Sequence, residues 1–293
     1  MTTRQIRNSE IAKYLRCQRS WMLGYHQGLE PAWGQRVTPR TYDTGSAAHA
    51  GLRAYYEGRS PSDGVREYQL ECYDNLSPKA DILAWSKIFD MAQAMVAHYP
   101  AWLDDEGLDI AETTLSLEAQ MELPLGTFLG DEVIIYGTPD RIVRTGSGIV
   151  VEDWKTGDID RPFMMESDWQ LLNYMLMAEH KFGEAPVAAR HRRLKRSMHT
   201  ARAKSQQYSQ EQVNFNRDRL AVHRQHLEKT VTDMVRKMQE LEAGADEIYA
   251  CTPVRIGQCS WDCSFTPVCS MMDDGADYEF VLALDYRKRE DNR

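Results

Sequence analysis

The sequence predicts an α/β fold, with strands gathered in the middle of the chain and helices before and after them. Three observations carry that expectation. Across 115–123, apolar Leu115, Leu117, Ala119, Met121 and Leu123 alternate with polar Ser116, Glu118, Gln120 and Glu122, the period of a half-buried strand. Thr145-Gly146-Ser147-Gly148 separates two further apolar runs, 133–143 and 149–155, as the turn of a hairpin. On either side of this block the apolar residues recur at helical spacing instead.

Taken in order, Asn8-Ser9 opens a helix through Ile11, Tyr14, Leu15 and Trp21-Met22, with Cys17 inside it. A connector over 28–44 carries Pro31, Gly34 and Pro39. A helix over 46–56 places His49, Leu52 and Tyr56 on one face, and 63–98 reads helical through Leu70, Leu76, Ile82, Ile88, Met91 and Met95. After the strands, where Pro124-Leu125-Gly126 is a turn, comes a helix holding Gln170, Leu171, Tyr174 and Met177. Ser209 with Gln212 three residues on fits a capping box opening a long helix that ends near Gly244. No internal repeat is evident, and the chain is expected to be one domain over 1–293. Within it, 1–45 is the N-terminal helix and connector, 46–180 the core, 181–250 a basic segment and long helix, and 251–293 a cysteine cluster and tail.

The composition of the 293 residues, 42% hydrophobic and 27% charged, suits a folded globular protein. No apolar run approaches the ~18 residues that span a bilayer, and Met1-Thr2-Thr3-Arg4-Gln5-Ile6-Arg7 leads into no apolar signal segment, so a cytoplasmic protein with no membrane partner is expected. The net charge of −9 argues against a nucleic-acid partner only until its distribution is read. Residues 100–140 hold ten acidic residues and no Lys or Arg, so the rest of the chain balances to +1. Arg190, Arg192, Arg193, Lys195, Arg196, Arg202 and Lys204 form a basic stretch with no acidic residue among them. Such a run is usually a solvated face, and it can also track a phosphate backbone. His191 and His199 in the same stretch are expected to be solvated. No G-x-x-x-x-G-K-[ST] loop is present, so the chain itself is not a nucleotide-driven motor.

If the hairpin closes about Gly146-Ser147, paired residue numbers sum to 293, and Asp140 opposes Asp153. Opposed side chains share a face with Cβ atoms ~4.5–5.5 Å apart. Two carboxylates that close repel unless a cation lies between them, and Mg²⁺ or Mn²⁺ prefers oxygen ligands. Lys155, two residues along the same face, aims at the same spot and can steady charge on a phosphate. A solvated hairpin with ordinary surface charges fits the spacing equally well.

Of the six cysteines, Cys251, Cys259, Cys263 and Cys269 crowd toward the C-terminus and point to metal before disulfides. Cys259, Cys263 and Cys269 have C-x3-C-x5-C spacing, and a fourth thiolate comes either from Cys251, as a local zinc module, or from distant Cys17. Cys72 reads as a small buried hydrophobe.

Pro139-Asp140, a twelve-residue gap, then Asp153-Trp154-Lys155 resembles the PD-(D/E)XK nuclease signature. Gly137-x-x-Asp140-Arg141, Asp153-x-Lys155-Thr156-Gly157 and Gln170-x-x-x-Tyr174, with His49 upstream, resemble the motifs of its RecB-type branch in order. The resemblance implies a restriction-endonuclease-like core, a central mixed sheet flanked by helices, and divalent-metal-dependent phosphodiester cleavage. His49, Asp140, Asp153 and the Trp154 carbonyl would bind Mg²⁺ or Mn²⁺. Asp140, Asp153 and Lys155 would be catalytic, with Gln170 and Tyr174 supporting substrate or site. Arg190, Arg192, Arg193, Lys195 and Arg196 would follow the DNA backbone. Cys17 with Cys259, Cys263 and Cys269 resembles the iron–sulfur nucleases of that branch, including AddB nuclease domains and the CRISPR-adaptation nucleases. This implies a [4Fe–4S] cluster joining the N- and C-terminal segments, with Zn²⁺ as the alternative. The x3 gap departs from the usual x2. The implied activity is a DNA exonuclease on single strands or duplex ends in recombination or end processing, in a prokaryotic or phage-infected cell. A recombinase, annealing protein or helicase would be its partner. The competing reading is a catalytically silent or complex-dependent DNA-binding subunit of a recombination or CRISPR-adaptation machinery.

Overall fold

The computed structural model describes residues 2–32, 39, 41–157, 165–198, 207–254, 259 and 263–289. It divides into two compact units. The first comprises Met1–Gln35, Glu122–Gly137 and Ala221–Arg293, the second Arg36–Met121 and Thr138–Leu220. Among the described residues no helix is long and apolar enough to cross a membrane. His199, Arg202 and Lys204, from the basic stretch, lie outside the described residues.

In the first unit, β1 (Thr3–Arg7) pairs parallel to β5 (Asp131–Gly137), with β4 (Met121–Phe128) as the third strand. Leu129 and Gly130 join β4 to β5 with φ of 50° and 90°, the left-handed geometry that matches a two-residue connection to strand twist. The predicted N-terminal helix is broken. α1 (Asn8–Arg16) stops at Cys17, whose backbone is extended (φ −165°, ψ 111°), and α2 (Gln18–Trp21) restarts after it and runs into a π-helical turn over Met22–His26. The break sets Cys17 at a helix junction instead of inside a helix. At the other end of the chain, α9 (Glu247–Ala250), α10 (Thr266–Asp274) and α11 (Tyr278–Asp285) lead to β10 (Tyr286–Lys288), which pairs antiparallel to β2 (Leu29–Pro31).

The second unit is built on a five-stranded mixed sheet in the order β3-β6-β7-β8-β9. These strands are Thr113–Leu117, Arg141–Thr145, Gly148–Gly157, Ala188–Lys195 and Tyr208–Asn214. β7 and β8 run parallel, and α7 (Trp169–Phe182) is the helical crossover that a parallel pair requires. Central β7 is buried from Ile149 to Trp154, as expected of a strand covered on both faces. Helices α3 (Thr41–Tyr56), α4 (Pro61–Asp74), α5 (Ile82–Val96) and α6 (Tyr99–Asp105) supply Leu52, Val65, Trp85, Phe89, Met95 and Tyr99 to one hydrophobic cluster, which also takes in Trp154 of β7.

Three strand-level expectations change. The predicted strand over 115–123 splits into β3 and β4, because Glu118 leaves the extended region with φ 40°. The run over 133–143 splits at Thr138-Pro139-Asp140 into β5 and β6, where Pro139 has no N–H to give a ladder. Ser209 and Gln212 open no helix. They lie in β9 against Arg193 and Arg190 of β8, and α8 (Arg217–Glu242) begins after it. Pairing with β8 satisfies the backbone donors that a cap would have served. The hairpin register is as read: Arg141 pairs with Glu152, Ile142 with Val151 and Thr145 with Gly148.

Candidate functional site

In the second unit, β6 and β7 bring Asp140 and Asp153 to the same end of the hairpin. Asp140 lies one residue before β6, and its Oδ2 accepts the Trp154 N–H at 2.6 Å, fixing the carboxylate against the neighbouring strand. Its Oδ1 lies 3.2 Å from His49 Nδ1, on α3. α3 approaches β7 closely here: a Cβ at Gly45 would lie 2.8 Å from Thr156 Oγ1. Glycine at that position lets the helix bring His49, one turn on, to the carboxylates.

The third group in this cluster is Glu118, which no sequence motif singles out. Ligand atoms of His49, Glu118 and Asp140 all lie within 4.8 Å of one another. The Glu118 N–H donates to the Asp140 carbonyl at 2.8 Å. Within an alternating strand Glu118 reads as one more solvent-facing polar residue, and only the break in that strand turns it inward.

Asp153, 3% exposed, faces the other way along the site. Its Oδ2 lies 2.8 Å from Lys155 Nζ and 3.5 Å from His191 Nε2. Lys155 Nζ donates to Gln170 Oε1 at 3.2 Å, and Gln170 Nε2 donates to the Tyr174 hydroxyl at 3.1 Å. Both residues stand on α7, whose start is capped by Asp168 Oδ1 accepting the Gln170 N–H at 2.8 Å. His191, fully buried on β8 opposite Asp153, is not the solvated residue expected; its Nε2 is also 3.7 Å from Asp168.

The electrostatics follow from crowding. Burial, with Asp140 adding to it and Lys155 opposing it, pushes Asp153 up to about 7. Burial works against charge on His49 as well, but Asp140 outweighs it and holds the imidazole up to about 9. Burial raises Glu118, and Asp140 raises it further. Burial, then Lys155 and Arg193, push His191 down to about 3, so it is a neutral imidazole. Asp140 therefore repels both Glu118 and Asp153 beside a point where carboxylate and imidazole groups converge, and Asp153 is held by Lys155. That donor set fits a hard divalent cation.

The basic stretch reads differently once folded. Arg190 and Arg192, 5% and 0% exposed, do not face a nucleic acid. They turn to the opposite face of the sheet, where Glu152 Oε2 lies 3.2 Å from each of them and 3.4 Å from Arg141. Arg190 also pairs with Glu112 at 2.8 Å, and Arg192 with Asp109. Arg193, 6% exposed, pairs with Glu211 at 2.9 Å. These strand residues alternate over the two faces of the sheet; carboxylates inside the fold take up the charge of Arg190 and Arg192, and half-exposed Glu211 takes up that of Arg193. Lys195 and Arg196, at the end of β8, remain accessible.

In the first unit, Cys17, Cys259, Cys263 and Cys269 line one cavity of about 220 Å³. Cys251 is fully buried and not among its lining residues. Burial pushes the Cys251 thiol up to about 11, which leaves it a protonated core residue. Cys72 is buried in the helical cluster of the second unit, as a small hydrophobe.

The family model for the PD-(D/E)XK nuclease superfamily matches residues 8–270. The chain belongs to that superfamily. PD-(D/E)XK nucleases use divalent metals, consistent with the donor set above, and the helix-flanked mixed sheet agrees with their restriction-endonuclease-like fold. Among solved structures, a protein from Eubacterium rectale named "Putative exonuclease" is similar with a TM-score of 0.49 and 11% identity, over 87% of this chain and 86% of that one. An alkaline exonuclease from Laribacter hongkongensis is similar with a TM-score of 0.33 and 11% identity, over 70% of this chain and 97% of that one. Comparison with curated proteins finds no match.

Proposed function

We propose that this PD-(D/E)XK protein is a divalent-metal-dependent DNA exonuclease of the RecB-type branch, hydrolysing phosphodiester bonds at DNA ends in recombination or end processing. The observation that carries the reading is the convergence of His49, Glu118 and Asp140 beside the Asp153–Lys155–Gln170–Tyr174 chain. His49, Glu118, Asp140, Asp153 and the Trp154 carbonyl would hold Mg²⁺ or Mn²⁺. When bound, such a cation polarises the phosphodiester and makes water a competent nucleophile near neutral pH.

The protein's own groups do the rest. Lys155, kept in its ammonium form by Asp153, donates to a phosphoryl oxygen as negative charge builds there. Gln170 fixes the Lys155 amine, and Tyr174 fixes Gln170. His191, neutral and buried, packs against Asp153 without bringing a competing charge. Lys195 and Arg196 would meet the DNA backbone.

In the other unit, Cys17, Cys259, Cys263 and Cys269 would bind a [4Fe–4S] cluster. Their common cavity supports one shared metal centre, with Zn²⁺ as the alternative occupant.

The test is cleavage of end-labelled single- and double-stranded DNA with Mg²⁺ or Mn²⁺. Asp140→Ala and Lys155→Ala should each abolish product while leaving the fold and DNA binding; full activity in both refutes the assignment. For the cluster, protein purified without oxygen should be brown and hold iron and sulfide, and Cys17→Ala should lose both. Colourless wild-type protein holding stoichiometric zinc refutes it.

A further inference from the structure

Two polar residues, Arg19 and Ser20, line the cavity beside the cysteines. Arg19 is 2% exposed and lines the cavity two positions after Cys17. Its Nη1 donates to Asp273 Oδ1 at 2.7 Å and to the Cys269 carbonyl at 3.3 Å, and lies 3.6 Å from Cys269 Sγ. Nη2 donates to the Ile248 carbonyl at 3.2 Å, while Nε is buried with no hydrogen-bond partner. The next residue, Ser20, is 4% exposed and lines the same cavity, with its Oγ 3.8 Å from Cys263 Sγ. One short segment therefore brings a ligand candidate, Cys17, and then two donor groups aimed at the sulfurs of two others.

An arginine needed only to clasp the chain would be satisfied by Asp273 and the two carbonyls. The contact with Cys269 Sγ is additional, and it places a full positive charge, out of water, beside a sulfur. Ser20 offers a neutral version of the same contact. Once Cys263 is a thiolate, its sulfur can only accept, so the hydroxyl donates.

We infer that Arg19 and Ser20 are positioning residues of the four-cysteine centre, donating to the sulfurs of Cys269 and Cys263 and thereby raising its reduction potential; the inference rests on the cluster reading above. A cluster held by four thiolates is an anion, and one-electron reduction adds a further negative charge spread partly onto sulfur. Hydrogen bonds to sulfur strengthen as that charge grows, so they favour the reduced state. Arg19 has the larger effect because its donor carries charge.

The experiment is an EPR-monitored dithionite titration of the full chain, purified without oxygen, as wild type, Ser20→Ala, Ser20→Thr, Arg19→Gln and Arg19→Lys. Ser20→Ala should titrate at a lower potential than wild type, and Ser20→Thr, which keeps the hydroxyl, at the wild-type value. Arg19→Gln should shift further down, with Arg19→Lys between. If Arg19→Gln fails to fold, the Ser20 pair decides, because removing one oxygen atom leaves the packing in place. A full complement of iron in every variant with an unchanged potential overturns the inference and leaves the cluster standing. Wild-type protein with zinc and no iron overturns both.

Discussion

Replacing Arg192 with alanine separates an interior arginine from a DNA contact. The fully buried guanidinium lies with Nε 3.2 Å from Glu152 Oε2 and donates from Nε to Gln210 Oε1 at 3.1 Å. From Nη1 it donates to the Tyr99 hydroxyl and to Asp109 Oδ2, both at 3.0 Å, and to the Tyr56 hydroxyl at 2.5 Å. Burial by itself would raise Asp109, yet Arg192, joined by Arg141, holds it well below the usual carboxylate range. The truncation leaves buried Glu152 and half-buried Asp109 with Arg141 and Arg190 as their remaining cations. Removing one partner of a buried pair costs about 3–5 kcal/mol, a large share of the about 5–15 kcal/mol that holds a typical domain folded. Urea unfolding followed by tryptophan fluorescence measures it directly, since Trp154 stacks on Tyr56 at 5.7 Å within this network. The matching control is Lys195→Ala with Arg196→Ala, which should change stability by less than about 0.5 kcal/mol per site and lower the salt dependence of DNA binding by about one per residue. The reasoning fails if Arg192→Ala keeps full stability and lowers the salt slope as the control does.

Three further outcomes follow from particular contacts. A Cβ at Gly64 would sit 2.2 Å from the Ala50 carbonyl oxygen and 2.6 Å from Ala54 Cβ, so Gly64→Ala should force α3 and α4 apart at a cost of about 2 kcal/mol or more, read as a lowered melting temperature; an unchanged one contradicts the packing. Glu118→Gln should weaken Mn²⁺ binding by about 10–100-fold in calorimetry while leaving the melting temperature of the metal-free protein in place or raising it, because a half-buried carboxylate that Asp140 repels is gone. Wild-type affinity in that variant removes Glu118 from the ligand set. Burial, assisted by His226, pushes His223 down to about 4. Below about 6.5 the unfolded chain binds a proton that the folded one refuses, so stability falls as pH drops from about 6.5 to about 4, by up to about 3 kcal/mol. His223→Leu should flatten that part of the stability profile, and an unaltered profile excludes His223 as its source.

Much of the candidate site was legible because strands obey a period of two. The sum-to-293 register follows from a turn at Gly146-Ser147, and the ladder from Arg141–Glu152 to Thr145–Gly148 obeys it. The same alternation put Asp153 and Lys155 on one face and Glu152 with Trp154 on the other, where the indole Nε1 donates to Glu152 at 2.8 Å. Spacing of four on a helix placed Gln170 against Tyr174. A local signal misleads where a distant strand overrides it. The Ser209–Gln212 pattern is a valid cap only if the chain is free to coil, and β8 claimed it as a strand.

The sequence by itself determined the α/β class, the hairpin register and the order of the chemical groups along the chain, since each rests on local period and spacing. Tertiary structure decided which charges meet. It drew Arg190 and Arg192 inside to neutralise Glu152, Glu112 and Asp109, and turned Glu118 toward His49 and Asp140 by breaking a strand. It also set Cys17, on a helix break, along the same cavity wall as three cysteines more than two hundred residues away. The physical reason is range: backbone periodicity is settled over a few residues, whereas a buried charge or thiol is settled by whichever distant group the fold places within a few ångströms of it.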